Sequence, residues 1–359
     1  MSNVNMRASN VYFLTIICTL VLLASCQHDE PDDFVKPLAE RTVLLLKENG
    51  EIYNFEGELI KKLPDCHAVT QIIVEGEDYF VSGVSTKDRV GYWKNGKWNT
   101  LHVDFIDDVD HWAFGIGKWD YYIFLLDYPN VLKNSGIYRL NECENFAPAH
   151  HGISVSEGKC YVVGSEVSKT ADGVVHHPIC YTEHKGGYEK EKLPFPHGAV
   201  TGEALAVRAY DKDHFIIGGY AGREPIIWID RQPHVMPRTF DCIGEDGQTF
   251  PFGIIESIVR CNGHIYCGGF EYIDEYAEKS VPTLWCDDVP KHLVIGYDKE
   301  NYYSGKVVEM VTYGDDVYTL TLEMYDNDNE LPSFYSMLWL NGELLKVYED
   351  FLPISLAVF

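Results

Sequence analysis

The stretch Val69–Leu101, VTQIIVEGEDYFVSGVSTKDRVGYWKNGKWNTL, decides the fold. An apolar run, a polar turn, YFVSG, a connection, GYW, Asn95-Gly96 and a closing run read as two successive hairpins. Asn-Gly between strand-like runs is a strong hairpin signal, because a type I′ turn needs positive φ at both central residues and these two tolerate it. The decisive question is whether this four-strand module recurs.

It does. Aligning on the aromatic of the second strand gives GEDYFVSG at Tyr79, WDYYIFLL at Tyr122, GKCYVVGS at Tyr161, KDHFIIGG at Phe215, NGHIYCGG at Tyr266 and GDDVYTLT at Tyr318. The intervals are 43, 39, 54, 51 and 52 residues. A third-strand aromatic follows each: Trp93, Tyr138, Tyr181, Trp228, Trp285 and Trp339. Periods of about 40 to 50 residues match propeller blades of four strands. Seven Trp, 24 Tyr and 30 Gly, with hardly any long 3.6-residue periodicity, make the chain all-β.

Two ends remain. Residues 42–63, TVLLLKENGEIYNFEGELIKKL, hold three short strand-like runs with turns at Asn49-Gly50 and Glu56-Gly57, and the chain finishes on the apolar LPISLAVF. Three strands and one strand make a blade, and closing a ring from both chain ends removes exposed edges. The expected fold is a single β-propeller over residues 42–359, with seven blades. The last is completed by Ile354–Phe359 as innermost strand and residues 42–63 as the other three. Six blades with an accessory hairpin is the runner-up. Mutually covering blades also explain why FIIGG and HIYCGG are continuously apolar, and why the repeated tryptophans are expected to pack between blades.

Residues 1–25 have the form of a signal peptide: Arg7, an apolar core over Val11–Leu22, then small residues. Leu23-Ala24-Ser25-Cys26 resembles the bacterial lipobox, which implies cleavage before Cys26 and lipid (palmitate) modification there. The acidic QHDEPDDF that follows makes residues 26–41 a tether, and it resembles the leader of outer-membrane lipoproteins of Bacteroides-type bacteria (Bacteroidota). Together with the blade repeats, the leader resembles propeller-repeat lipoproteins of that group. The resemblance implies a bacterial outer-membrane location, lipid-anchored and either surface-exposed or facing the periplasm, and it transfers no site residue.

A formal net charge of −26 repels phosphate backbones, so nucleic acid is not an expected partner. Anionic polysaccharides are repelled too, unless a local basic patch or a bound cation intervenes. Of ten cysteines, Cys18 lies in the signal and Cys26 at the lipid site; the other eight form no C-x-x-C pair and are expected as buried thiols, with isolated disulfides the alternative.

Four successive units carry histidine ahead of the first strand: His67, His111, the His150-His151 pair and His197. Residues starting innermost strands ring one mouth of a propeller channel. His67, His111, Trp112, His151 and His197 are therefore the candidate ligand-binding set, with repeated loop capping as the structural alternative. Converging imidazoles suit a transition metal or acid–base work, although no metal is assigned. Asp107, Asp108 and Asp110 flank His111. Asp326–Glu330 lacks the glycine and distal glutamate of a calcium loop. Ile243–Phe250 has the outline of the Asp-box turn of sialidase-like propellers, but Glu245 replaces the aspartate and Ile243 the serine. No G-x-S-x-G elbow, P-loop, dinucleotide fingerprint or H-E-x-x-H is present, so no cofactor is expected.

The expected function is a lipid-anchored, non-catalytic module binding a ligand or protein partner, glycans included, as a monomer or as a subunit of an envelope assembly. The alternative is a glycan-active lyase or hydrolase with a His and carboxylate site at the channel mouth.

Overall fold

The computed structural model describes residues 41–359 apart from 88, 102–112, 121, 128–129, 135, 141–143, 172, 241–250, 275–278, 296–301 and 326–331. Cys26 and its flanks lie outside the described residues. Residues 42–359 form one compact unit.

This unit is all-β, and its architecture is propeller-like. Six antiparallel meanders of four strands follow one another along the chain, starting at Cys66, Ala113, Phe146, Gly202, Gly253 and Tyr302. A further four-stranded sheet takes Pro353–Val358 from the C-terminus and Val43–Lys47, Glu51–Tyr53 and Leu59–Lys62 from the N-terminus, in that order. Its two chain ends meet in register, Val43 opposite Val358 and Leu46 opposite Ser355. We call this the terminal meander and number the others one to six in chain order.

Burial explains the near-continuous apolar strands. In VLLLK, Val43 and Leu45 pack with Tyr318, Leu320 and Leu338 of meander six, whereas Leu44 and Leu46 pack with Ile72, Val81 and Trp93 of meander one. The same division holds between every other successive pair. Alternation persists, but each face meets a neighbouring sheet instead of water.

The repeated tryptophans are structural. Trp93, Trp228 and Trp285 are fully buried, and their indole N–H groups donate to the carbonyls of Pro64, Pro194 and Pro237 at 3.0, 2.8 and 2.8 Å. Each proline lies in the connector entering that tryptophan's own meander, so the indole pins the chain where it crosses inward. Burying one such ring is worth roughly 3 kcal/mol, and the polar tip is satisfied. Meander two departs from the sequence alignment: its third strand is Asn130–Lys133, and Tyr138 stands on the fourth, Gly136–Arg139.

The turns follow the expected chemistry. Asn95-Gly96, Asn262-Gly263 and Asn341-Gly342 all have positive φ at both residues. The Asn95, Asn134, Asp230, Asp287 and Asn341 side chains each also accept a backbone N–H from the second strand, at 2.8–3.0 Å. That double duty explains why Asn or Asp stands there in five of the six meanders, Lys185 taking the place in meander three.

A second recurring device matters more for function. The first strand of meanders one, two, four, five and six carries a bulge, at Val69/Gln71, Ala113/Gly115, Ala204/Ala206, Ile255/Ser257 and Val307/Glu309. Gly219 and Gly269 face such bulges: a Cβ there would lie 1.8 Å from the Glu203 or Ile254 carbonyl oxygen. The glycine-ending FIIGG and YCGG runs are thus required by the kink beside them.

Among the described residues, Cys66, Cys160, Cys180, Cys261, Cys267 and Cys286 are free thiols. Burial pushes Cys160, Cys180 and Cys267 well above the ordinary thiol range, so they are inert packing groups.

Candidate functional site

A cavity of about 560 Å³ is lined by the first strand of every meander, from Gln71–Glu75 round to Leu356–Val358. The inner edges of these strands present backbone N–H groups that need acceptors. Side chains from the preceding meander supply them. Gln71 Oε1 accepts from Ile116 N at 3.2 Å, Ser154 Oγ from Ala209 N at 2.9 Å, Ser257 Oγ from Met310 N at 2.9 Å, and Ser355 Oγ from Ile72 N at 3.0 Å. Glu309 Oε2 accepts from Leu356 N at 2.6 Å.

Glu309 is the anomaly in this ring. Neutral serine or glutamine suffices elsewhere, yet here a carboxyl is buried to 5% exposure. It accepts further bonds from Ser355 Oγ at 2.5 Å and Gln71 Nε2 at 3.3 Å. Burial pushes it up to about 7, even though Ser355, the Leu356 amide, Gln71 and Arg208 all favour its charged form. His151 Nδ1 lies 3.8 Å from its Oε1. Burial pulls His151 down to about 4, with Glu256 opposing and Lys306 adding to the shift. At neutral pH a neutral imidazole therefore faces a carboxyl that exchanges its proton readily. Glu256 and Lys306, paired at 3.1 Å, stand beside them.

The four-histidine ring does not assemble. His151 lines the cavity, but His67 and His197 are exposed and do not. His111, Trp112, Asp107, Asp108 and Asp110 lie outside the described residues, as do Ile243–Phe250 and Asp326–Glu330. The reason is register. His67 lies eight residues before Glu75 at its inner hairpin, whereas His151 lies five before Ser156 at the corresponding place. The irregularity between Pro148 and Ile153 then turns His151 inward.

Sequence reading missed Glu309, Arg208, Arg260 and Gln71. Their signal is a lone polar or charged residue inside an apolar first strand: KVVEMV, LAVRAY, SIVRC, VTQIIV. As for metals, among the described residues His264, Cys286 and Asp287 bring three donor atoms within 4.8 Å, on hairpins away from this cavity. Asp287 is already engaged there, through Ile265 N at 3.0 Å and His264 Nδ1 at 2.8 Å.

No family model and no curated protein matches the chain. Among solved structures it is similar to the subtype N11 neuraminidase-like protein of an H18N11 flat-faced bat isolate, at 12% identity, 85% of this chain, 98% of that one and TM-score 0.44. It is also similar to an ancestral GH74 enzyme, at 10% identity, 86% of this chain, 40% of that one and TM-score 0.45. A third is the GH32 β-fructofuranosidase of Bombyx mori, at 8% identity, 77% of this chain, 63% of that one and TM-score 0.35. At this level no residue role, substrate or activity passes to this chain. The cavity itself holds an imidazole facing a buried carboxyl, His151 and Glu309. The expectation of a module without catalysis is corrected accordingly, in favour of its glycan-active alternative.

Proposed function

We propose that this protein is a glycan-cleaving enzyme whose acid–base pair is His151 and Glu309, at one mouth of the channel of a closed seven-bladed propeller. The observation that carries the reading is the neutral imidazole 3.8 Å from a carboxyl held near 7. An imidazole that is neutral at pH 7 beside a carboxyl that still holds part of its proton there suits general acid–base catalysis, which needs one group able to take a proton and one able to give it.

With Nδ1 turned to Glu309, His151 keeps Nε2 for the substrate. Glu309 is itself held in place by Ser355, Leu356 and Gln71. Two cleavages are open to this pair. In hydrolysis, Nε2 takes a proton from a water whose oxygen bonds the anomeric carbon, the glycosidic C–O bond breaks, and the leaving oxygen takes a proton from a second water. In elimination from a uronate, Nε2 takes the C5 proton, its electrons form the C4–C5 double bond, and the C4–O bond breaks as the leaving oxygen gains a proton.

The ring closed by both chain ends is supported by the Val43–Val358 register and by the continuous succession of apolar clusters between meanders. The leader supports export, lipidation at Cys26 and residence at the bacterial outer membrane. A Cys26→Ser variant should leave the membrane fraction if that anchor is real.

Activity is tested by screening the purified chain against neutral and acidic polysaccharides beside His151→Ala and Glu309→Gln. Turnover should fall about 10²- to 10⁴-fold in His151→Ala. Product absorbance from an unsaturated sugar end separates elimination from hydrolysis. No turnover on any substrate, or full turnover by His151→Ala, rejects the proposal.

A further inference from the structure

The charge inside the cavity runs opposite to that of the whole chain. Three cations line it, Lys118, Arg208 and Arg260, in a protein of formal net charge −26. Lys118 is paired with Glu75. Among the described residues no carboxylate lies within ion-pair distance of Arg208 or Arg260.

These two come from adjacent first strands, Gly202–Ala209 and Gly253–Cys261, each one residue short of its strand's last position. Arg208 is solvent-accessible only because it projects into the cavity; the surrounding wall desolvates it and pulls its pKa below the ordinary guanidinium value, with Glu309 partly offsetting this. Glu309 acts on it only at longer range, outside ion-pair contact, and its oxygens are bonded to Ser355, Leu356 and Gln71. Arg260 lies over the Tyr210 ring at 4.6 Å, which holds its plane and leaves the guanidinium edge available.

We infer that Arg208 and Arg260 form an anion site in the cavity that also holds His151 and Glu309, and that the substrate is an acidic sugar bearing a carboxylate or sulfate. The sugar identity rests on the function proposed above; the anion site does not. A guanidinium fork matches a planar carboxylate or a sulfate in two parallel hydrogen bonds. Volume agrees, since about 560 Å³ is the scale of a pocket that encloses one or two sugar rings. This is also the local basic patch without which so acidic a surface would turn acidic glycans away.

The test is calorimetric binding to the full chain at constant ionic strength, with sodium glucuronate, sodium sulfate and neutral glucose as probes. Glucuronate should bind saturably and glucose should not; sulfate binding alongside glucuronate marks a site for anions in general, its absence a carboxylate site. Arg208→Ala and Arg260→Gln, each checked for a native circular dichroism spectrum, should weaken glucuronate at least tenfold, and Arg208→Lys should recover part of the loss. Glucose binding as well as glucuronate, or affinity unchanged in both arginine variants, overturns the inference. Glucuronate binding with no turnover of any glycan upholds the anion site and rejects the catalytic reading. Turnover confined to neutral glycans, without anion binding, does the reverse.

Discussion

Glu271 and Glu323 stand at the same place in adjacent meanders, each near the end of the second strand and opposite a glycine, Gly253 or Gly305. Both are sealed from solvent, at 1% and 0% exposure. Glu271 is fully partnered: His292 Nε2 lies 2.9 Å from Oε2, and Oε1 accepts from Thr239 N at 3.1 Å. Phe240 stacks on His292, with ring centroids 5.2 Å apart. Glu323 has one donor, Tyr325 Oη at 2.8 Å from Oε2, and among the described residues its Oε1 has none. Burial pushes it up to about 7.

The ladder shows where the difference arises. His292, on the fourth strand, pairs with Thr283 on the third, and the corresponding partner of Met337 is Val347. A donor in one meander is an aliphatic side chain in the next. Equivalent positions in a repeat share backbone geometry, but whether a buried polar group finds all its partners is decided by what one neighbouring strand supplies.

Removing the better-partnered group should have the larger effect. Glu271→Ala leaves the Thr239 amide and His292 buried without their acceptor, and should lower unfolding stability by about 3 kcal/mol in urea titration. Glu323→Gln should act in the opposite direction and depend on pH. The native carboxyl, at about 7, holds its proton more tightly than an unfolded glutamate at 4.5. Stability from this group therefore falls as pH rises between those values and levels off above them. The variant should match the parent near pH 4 and be more stable at pH 8 by up to about 3 kcal/mol. Tyr325→Phe removes the donor and should cost about 1 kcal/mol, while moving the pH-dependent loss to higher pH. If Glu323→Gln shows the same difference at both pH values, the comparison between the two glutamates fails.

The fold was largely legible in the sequence because its signals are local and repeated. Second-strand aromatics, Asn-Gly turns and the apolar ends all mark backbone features that each meander must rebuild. Meander two was misread because Asn130–Lys133 has no aromatic, so Tyr138 on the following strand took the anchor's place. The site was legible only at His151. A charge within an apolar run, such as Glu309 or Arg208, gains meaning once bulge and register decide which way it points, and neither is written in residue type alone. His67 and His197 show the converse: a repeated residue type without a shared register.

The Val43–Lys47 strand has a mechanical consequence. It lies between Pro353–Val358 and Glu51–Tyr53, and Thr42 and Phe359 exchange two further backbone hydrogen bonds, at 2.8 and 3.0 Å. A pull along the strand from the segment before Thr42 would load both flanking ladders in shear, many bonds at once, instead of unzipping one hairpin bond by bond. Force entering at Thr42 would thus be shared with the C-terminal strand before reaching the cavity.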